Sequence, residues 1–103
     1  MAEFVTVGSG QEIADGTAVA FAVGDEEVAV ARVDGELYAF SDICTHRQCN
    51  LANGGEIDGT TIGCECHGSV FSMETGEVVS PPATEPIAIF PVREVDGEIQ
   101  VQV

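Results

Sequence analysis

Alternating apolar and polar residues along the chain predict a series of short β-strands. In the last segment, Glu98–Val103, hydrophobic residues alternate with glutamines, which is the pattern of a strand with one buried and one solvent-facing side. Five further segments rich in β-branched and apolar residues are expected to form strands: Phe4–Val7, Thr17–Val23, Glu27–Val33, Glu36–Phe40 and Ile87–Val95. No part of the chain shows helical periodicity beyond a single possible turn at residues 10–14.

Glycine-containing dipeptides connect several of these strands. Asp34-Gly35 and Asp96-Gly97 both tolerate positive φ at each position, as a two-residue hairpin turn requires. Successive hairpins predict an all-β fold, an antiparallel β-sandwich or barrel. A length of 103 residues suits one domain, so a single domain is expected over residues 1–103.

The middle of the chain, from about residue 41 to residue 85, interrupts this series of hairpins. It contains all four cysteines, both histidines and the Pro81-Pro82 pair. We therefore expect the flanking strands to form a basal scaffold, and the insert at 41–85 to carry the functional site.

The charge of the chain excludes two classes of partner. Eighteen acidic residues stand against three cations, which gives a formal net charge of −15. The cations are all arginines: Arg32, Arg47 and Arg93. Binding to nucleic acid or to an anionic membrane surface needs clustered basic residues, so neither is expected. No apolar stretch approaches the ~20 residues of a membrane span, and no secretory signal is visible, so the expected location is the cytoplasm.

Two short segments of the insert combine cysteine with histidine. The first is Cys44-x-His46 and the second is Cys64-x-x-His67, with 17 residues between His46 and Cys64. In a cytoplasmic protein, such cysteines indicate metal or redox chemistry before structural disulfides. The intervening glycines, which include Asp58-Gly59, permit a hairpin that brings the two segments face to face.

This pattern resembles the ligand motif of the Rieske [2Fe–2S] proteins. The resemblance implies that the thiolates of Cys44 and Cys64 bind one iron, and that the neutral imidazoles of His46 and His67 bind the other. The expected cofactor is one [2Fe–2S] cluster. Two neutral ligands in place of two thiolates raise its potential into a range of roughly −150 to +300 mV.

Other readings of the same residues remain. A set of two cysteines and two histidines also binds zinc, although zinc sites usually begin with two cysteines two to four residues apart. The spacing of Cys44 and Cys49 matches the opening of a plant-type ferredoxin, but Ala52 stands where its third cysteine belongs. Purely structural cysteines are the third possibility.

The resemblance also assigns residues around the cluster. It implies that Ser69 and Phe71 lie beside the second ligand segment, and that Pro81 and Pro82 belong to a rigid proline loop covering the cluster. In respiratory Rieske proteins, cysteines at the positions of Cys49 and Cys66 form a disulfide between the two loops. We expect the same disulfide here, whereas two buried thiols are the alternative.

Among Rieske proteins, the chain is most similar to the soluble ferredoxins of aromatic-ring dioxygenase systems, of the carbazole and biphenyl type. Catalytic oxygenase subunits also bind a mononuclear iron through two histidines and a carboxylate, but both histidines here belong to the cluster motif. Respiratory Rieske subunits carry an anchor or export signal, which is not expected here. The small subunit of nitrite reductase remains an alternative, although it typically lacks the ligands.

A ferredoxin of this type is an electron carrier and not an enzyme. The resemblance implies two partners, a flavin-containing NAD(P)H-dependent reductase and a terminal Rieske oxygenase. The acidic surface is expected to steer encounters with basic patches, and repulsion between copies predicts a monomer. General solubility or adaptation to a salty cytoplasm explains the acidity equally well.

Overall fold

A computed structural model describes residues 4–43, 50–52, 55–64, 68–81 and 85–102. Within these ranges, eleven strands form three antiparallel sheets, and a 3₁₀ turn at Gly10–Glu12 is the one helical element. The strands are β1 (Phe4–Ser9), β2 (Thr17–Val23), β3 (Glu26–Val33), β4 (Glu36–Ser41), β5 (Glu56–Asp58), β6 (Thr61–Gly63), β7 (Val70–Ser72), β8 (Val78–Ser80), β9 (Ile89–Phe90), β10 (Val92–Val95) and β11 (Glu98–Gln102). The expectation of an all-β fold is confirmed.

Two basal sheets have the strand orders β1-β11-β10 and β2-β3-β4-β9. Their two-residue turns have the expected backbone, because φ is positive at Asp34 (52°) and Gly35 (82°), and again at Asp96 (52°) and Gly97 (81°). Positive φ at both residues of a turn gives it a twist that matches the right-handed twist of the paired strands. A type I or type II turn would splay the two strands apart.

Strand β3 is buried on both sides, and this places the insert against the base. Val28 and Val30 pack in one hydrophobic cluster with Ile99 and Val101 of β11. Ala29 and Ala31, on the opposite side of β3, face a second cluster, which we call the insert core. Its buried members come from β3, β4, the insert and the residues just after the insert: Ala29, Ala31, Phe40, Leu51, Ile62, Cys64, Phe71, Met73 and Ile87.

The third sheet, called the insert sheet, has the order β5-β6-β7-β8. Ile57, Ile62 and Phe71 lie in register across it, and all three contribute to the insert core. The β5–β6 turn contains Gly59 at a φ of 61°, so the predicted Asp58-Gly59 hairpin is present.

The expectation of one strand over Ile87–Val95 is wrong. Ile89–Phe90 pairs with β4 in one basal sheet, whereas Val92–Val95 pairs with β11 in the other. Pro91 separates them because it has no N–H to donate to a sheet, and its carbonyl oxygen accepts a 3.0 Å hydrogen bond from Gln102. The chain therefore changes sheet at this residue.

Candidate metal centre

Cys64 follows β6 directly and is buried, with 4% of its surface exposed. Its amide donates a 2.6 Å hydrogen bond to the carbonyl oxygen of Ser69, and the Gly68 amide donates one of 3.0 Å to the carbonyl oxygen of Cys64. Gly68 has a φ of 79°, which a glycine adopts without strain. These bonds join the residues on either side of segment 65–67, which contains Cys66 and His67 and lies outside the described residues.

The two residues that flank the first ligand segment, 44–49, are paired with each other. Ile43 and Asn50 form an isolated antiparallel bridge, and the Leu51 amide donates a 2.6 Å hydrogen bond to the carbonyl oxygen of Asp42. Cys44, His46 and Cys49 lie between these residues, in the segment 44–49 outside the described part of the chain. The structure thus brings together the two ends of the predicted segment.

Residues at the ends of the two ligand segments pack against each other. Leu51, which follows the first segment, packs in the insert core together with Cys64 of the second. Gly55 lies between them, and a Cβ atom there would overlap the carbonyl oxygen of Leu51 and lie 3.1 Å from that of Gly63. Because only glycine fits without displacing backbone, this residue permits the close approach of the two segments.

The other predicted residues of the site differ in their surroundings. Ser69 and Phe71 are fully buried, and the Phe71 ring packs in the insert core with Cys64. Pro81 follows β8 and is exposed to solvent, whereas Pro82 lies outside the described residues.

One residue of the site was missed at the sequence level. Asp42 is fully buried, and its carboxylate accepts hydrogen bonds of 2.7 Å from the Asn50 side chain and from the Ala52 amide. These two donors lie just after segment 44–49, whereas Asp42 lies just before it. An acidic residue two positions before a cysteine, in so acidic a chain, carries no signal of burial, so only the structure identifies it.

The described arginines lie away from the site. Arg32 donates to the carbonyl oxygens of Ile13 (3.0 Å) and Gly10 (3.1 Å), and Arg93 stacks 4.0 Å from the ring centroid of Phe4. The insert instead presents exposed carboxylates on five residues: Glu56, Asp58, Glu74, Glu77 and Glu85. The described surface of the insert is therefore anionic.

Tyr38 packs against the insert core. Its pKa lies above the usual value of a phenol, first because burial disfavours the phenolate and then because the carboxylates of Glu74, Glu36 and Asp34 repel it.

These residues fit an iron–sulfur cluster. The buried thiol of Cys64 packs in an apolar core with Leu51, and the segment 44–49 shortly before Leu51 supplies a second thiol and an imidazole in the sequence. Thiolates favour iron–sulfur clusters, and imidazole also ligates iron, so the donor set is chemically suitable. A bound [2Fe–2S] cluster supplies reversible uptake of one electron.

The comparisons with known proteins agree with this assignment. A model of the Rieske [2Fe-2S] domain matches residues 3–91. The biphenyl dioxygenase ferredoxin subunit of Pseudomonas sp. (strain KKS102) is 38% identical over 90 residues, covering 87% of this chain and 83% of that protein. The ferredoxin of carbazole 1,9a-dioxygenase from Nocardioides aromaticivorans IC177 superimposes with a TM-score of 0.89 at 29% identity, covering 95% of each chain. A chain in the complex of reduced oxygenase and oxidized ferredoxin in carbazole 1,9a-dioxygenase has a TM-score of 0.88 at 35% identity, covering 96% of this chain and 92% of that chain.

The chain belongs to the Rieske [2Fe–2S] domain family. Its similarity extends over nearly the whole length of ferredoxin components, so it is an electron-transfer protein of the ferredoxin type and not an enzyme. It carries one [2Fe–2S] cluster, which decides against the zinc reading. Within the described residues, no helix is long and apolar enough to span a membrane. The cytoplasmic location stays a prediction.

Proposed function

We propose that this protein passes single electrons from an NAD(P)H-dependent flavoprotein reductase to the terminal oxygenase of an aromatic-ring dioxygenase system. The observation that carries the proposal is a packing contact between the two ligand segments. Buried Cys64, in the second segment, lies in one hydrophobic core with Leu51, which follows the first segment. A single cluster ligated from both segments would lie near the molecular surface, because Gly68, which directly follows the second segment, is exposed to solvent.

The ligands proposed are Cys44 and Cys64 for one iron, and His46 and His67 for the other. Imidazoles carry a second nitrogen that points away from the metal, so a histidine-bound iron has a short path to a docked partner. The thiolate-bound iron belongs on the buried side, and the burial of Cys64 supports this orientation.

The residues around the ligands have supporting roles in the proposal. A Cys49–Cys66 disulfide would join the two segments, and Pro81 with Pro82 would cover the cluster on the side of β8. Exposure of Pro81 supports a position at the surface where a partner docks. We also propose that single-domain organisation, with the cluster-binding insert at about 41–85, applies to the whole chain.

The oxygenase as electron acceptor is supported by the carbazole 1,9a-dioxygenase complex, in which a ferredoxin similar to this chain is bound to an oxygenase. The reductase as donor follows from the resemblance to ferredoxin components. The net charge of −15 favours partners with basic docking surfaces and disfavours self-association, so we propose a monomeric carrier.

Ligand variants test the assignment of the cluster. Each of Cys44→Ala, His46→Ala, Cys64→Ala and His67→Ala should lose the visible spectrum and the EPR signal of the reduced protein. Gly97→Ala, in a distant basal turn, is the matched control and should keep both. A normal spectrum in His46→Ala would contradict the assignment.

Electron transfer itself is measured by stopped flow. The dithionite-reduced protein, freed of excess reductant, should be reoxidised by one equivalent of an oxidised terminal aromatic-ring oxygenase, with the product spectrum of reduced oxygenase appearing at the same rate. NADH with a flavoprotein ferredoxin reductase should then reduce the protein again. Failure of the reduced protein to donate to aromatic-ring oxygenases would refute the proposed role while leaving the cluster assignment intact.

A further inference from the structure

Asp42 carries a buried charge at the entrance to the first ligand segment. Its side chain is fully buried and lies two residues before Cys44, where two residues of chain span at most about 7 Å between Cα atoms. Burying a carboxylate is costly unless its oxygens are hydrogen-bonded. At this position, both oxygens have such partners.

The hydrogen bonds of Asp42 connect the two ends of segment 44–49. Oδ2 accepts from Nδ2 of Asn50 and Oδ1 accepts from the amide of Ala52, each at 2.7 Å, while its backbone carbonyl accepts from Leu51 at 2.6 Å. Its own amide donates to the carbonyl oxygen of Glu27 on β3 at 2.9 Å. Thus one residue attaches both ends of the segment to each other and to the basal sheet.

We propose that Asp42 is a positioning residue of the cluster site, whose buried carboxylate fixes the ends of the first ligand segment and whose negative charge opposes reduction of the cluster. The inference rests on the proposed ligand assignment. A segment with fixed ends loses less conformational entropy when it binds a metal, so the cluster is retained longer. A neutral side chain would also pack here, but it would lack the electrostatic effect.

The charge acts because uptake of an electron makes the cluster more negative. In general, a unit charge about 10 Å from a redox centre, at an effective dielectric constant of about 20, changes the equilibrium constant for uptake of an electron by roughly tenfold. An exposed carboxylate at a similar position has a smaller effect, because water and salt screen it.

Three variants separate the two contributions, and a fourth, Asp42→Ala, removes both. Asp42→Asn removes the charge and keeps an acceptor for the Ala52 amide, since Asn50 is able to turn its carboxamide and donate or accept as required. Asn50→Ala removes one attachment and leaves the charge. Glu26→Gln, at an exposed position at the start of β3, removes the same formal charge and is the matched control.

The measurements use the cluster-loaded protein. In Asp42→Asn, we expect the equilibrium constant for reduction to rise about tenfold by voltammetry, which for one electron is 59 mV, while Glu26→Gln shifts it much less. In Asn50→Ala, we expect loss of the cluster to a chelator to be several-fold faster, with the potential little changed. Amide exchange at Ala52 should be accelerated in Asp42→Ala but not in Asp42→Asn.

Two results would overturn the inference. Equal potential shifts in Asp42→Asn and Glu26→Gln would show that the buried charge has no special influence, and unchanged cluster release in Asn50→Ala would show that the attachment does not hold the segment. Both are read in variants that assemble a normal cluster. Failure of the ligand assignment is a separate result, namely a cluster retained in Cys44→Ala.

Discussion

The amide of Ile87 donates a 2.9 Å hydrogen bond to the carbonyl oxygen of Gly76, and the two backbones are in direct contact. The hydrogen bond therefore attaches Ile87, which follows the proline-containing segment, to the turn between β7 and β8. Gly76 has a φ of 81°, and a Cβ atom there would overlap the carbonyl oxygen of Ile87. The glycine is therefore required twice, for its φ and for the space.

Gly76→Ala should destabilise the protein by more than about 2 kcal/mol, because the left-handed backbone alone costs an alanine roughly 1–2 kcal/mol and the overlap adds to it. Gly97→Ala is the matched control, since its φ is also 81° but open space surrounds it. Guanidinium unfolding followed by circular dichroism measures both. Equal losses in the two variants would show that the Ile87 contact has no energetic role.

Arg32 joins the 3₁₀ turn region to β3 through hydrogen bonds to the carbonyl oxygens of Ile13 and Gly10, and it forms a 3.4 Å ion pair with Glu94. Arg32→Lys keeps the charge but loses the forked donor, and should cost roughly 1–2 kcal/mol of stability. Glu94→Gln removes only a partly exposed ion pair and should cost less than about 1 kcal/mol.

Salt distinguishes the two Arg32 contributions. In 0.5 M NaCl, the effect of Glu94→Gln on the unfolding midpoint should disappear, while that of Arg32→Lys should persist. A loss for Arg32→Lys that also disappears with salt would mean that the ion pair, and not the carbonyl bonds, holds this corner.

The basal fold was predictable because its signals are local. The Asp34-Gly35 and Asp96-Gly97 turns need only two adjacent residues that accept positive φ, and the structure shows it at all four. The prediction of a single strand over Ile87–Val95 was wrong because the apolar pattern continues through Pro91. That proline has no N–H to donate to a sheet, and the chain leaves one sheet before it and enters the other after it.

The ligand residues were predictable from their spacing, but the packing and hydrogen bonds around the ligand segments were not. Burial of Cys64 and the close approach at Gly55 depend on packing between segments distant in sequence, which no local pattern encodes. Asp42 is the clearest case, since its role depends on contacts with Asn50 and Ala52, which lie 8 and 10 residues further along the chain.

Tyr38 is the only tyrosine, so its ionisation is measurable by absorbance. Burial and the nearby carboxylate of Glu74 raise its pKa. The pKa of Tyr38 is higher in the folded state than the unfolded value of about 10. The contribution of the neutral phenol to the free energy of unfolding is therefore complete below a pH of about 10, and it is lost as the pH rises through the folded-state pKa. The phenolate should therefore appear at higher pH in the native protein than in guanidinium.

Glu74→Gln should lower the native pKa of Tyr38 only in part, because burial is the larger cause. Tyr38→Phe provides the baseline for cluster absorbance. Identical midpoints for native and unfolded protein would contradict the burial effect.

The proposed disulfide between Cys49 and Cys66 predicts that neither cysteine reacts with an alkylating reagent in native, non-reduced protein. Intact mass before and after reduction measures this directly, with a change of two hydrogens. Replacing both by serine should shorten the lifetime of the cluster without removing any iron ligand. Labelling of both residues while the cluster is intact would refute the bond.

The potential of the cluster should depend on the two buried residues that follow the second ligand segment. In high-potential respiratory Rieske proteins, hydroxyl groups at the positions of Ser69 and Phe71 donate hydrogen bonds to sulfur, and such bonds stabilise the reduced state. This chain keeps the serine but has a phenylalanine, fully buried in the same core as Cys64. We therefore expect a potential below that of the respiratory proteins.

Phe71→Tyr should raise the potential and Ser69→Ala should lower it, each by roughly 60–130 mV if one hydrogen bond to a charged group is gained or lost. Phe90→Tyr, in the basal cluster packed around Val28 and Ile99, makes the same chemical change away from the site and should leave the potential unchanged. Voltammetry of the four proteins at one ionic strength decides the matter. Unchanged potentials in both site variants would mean that solvent exposure and net charge, and not hydroxyl groups at these two buried positions, set the value.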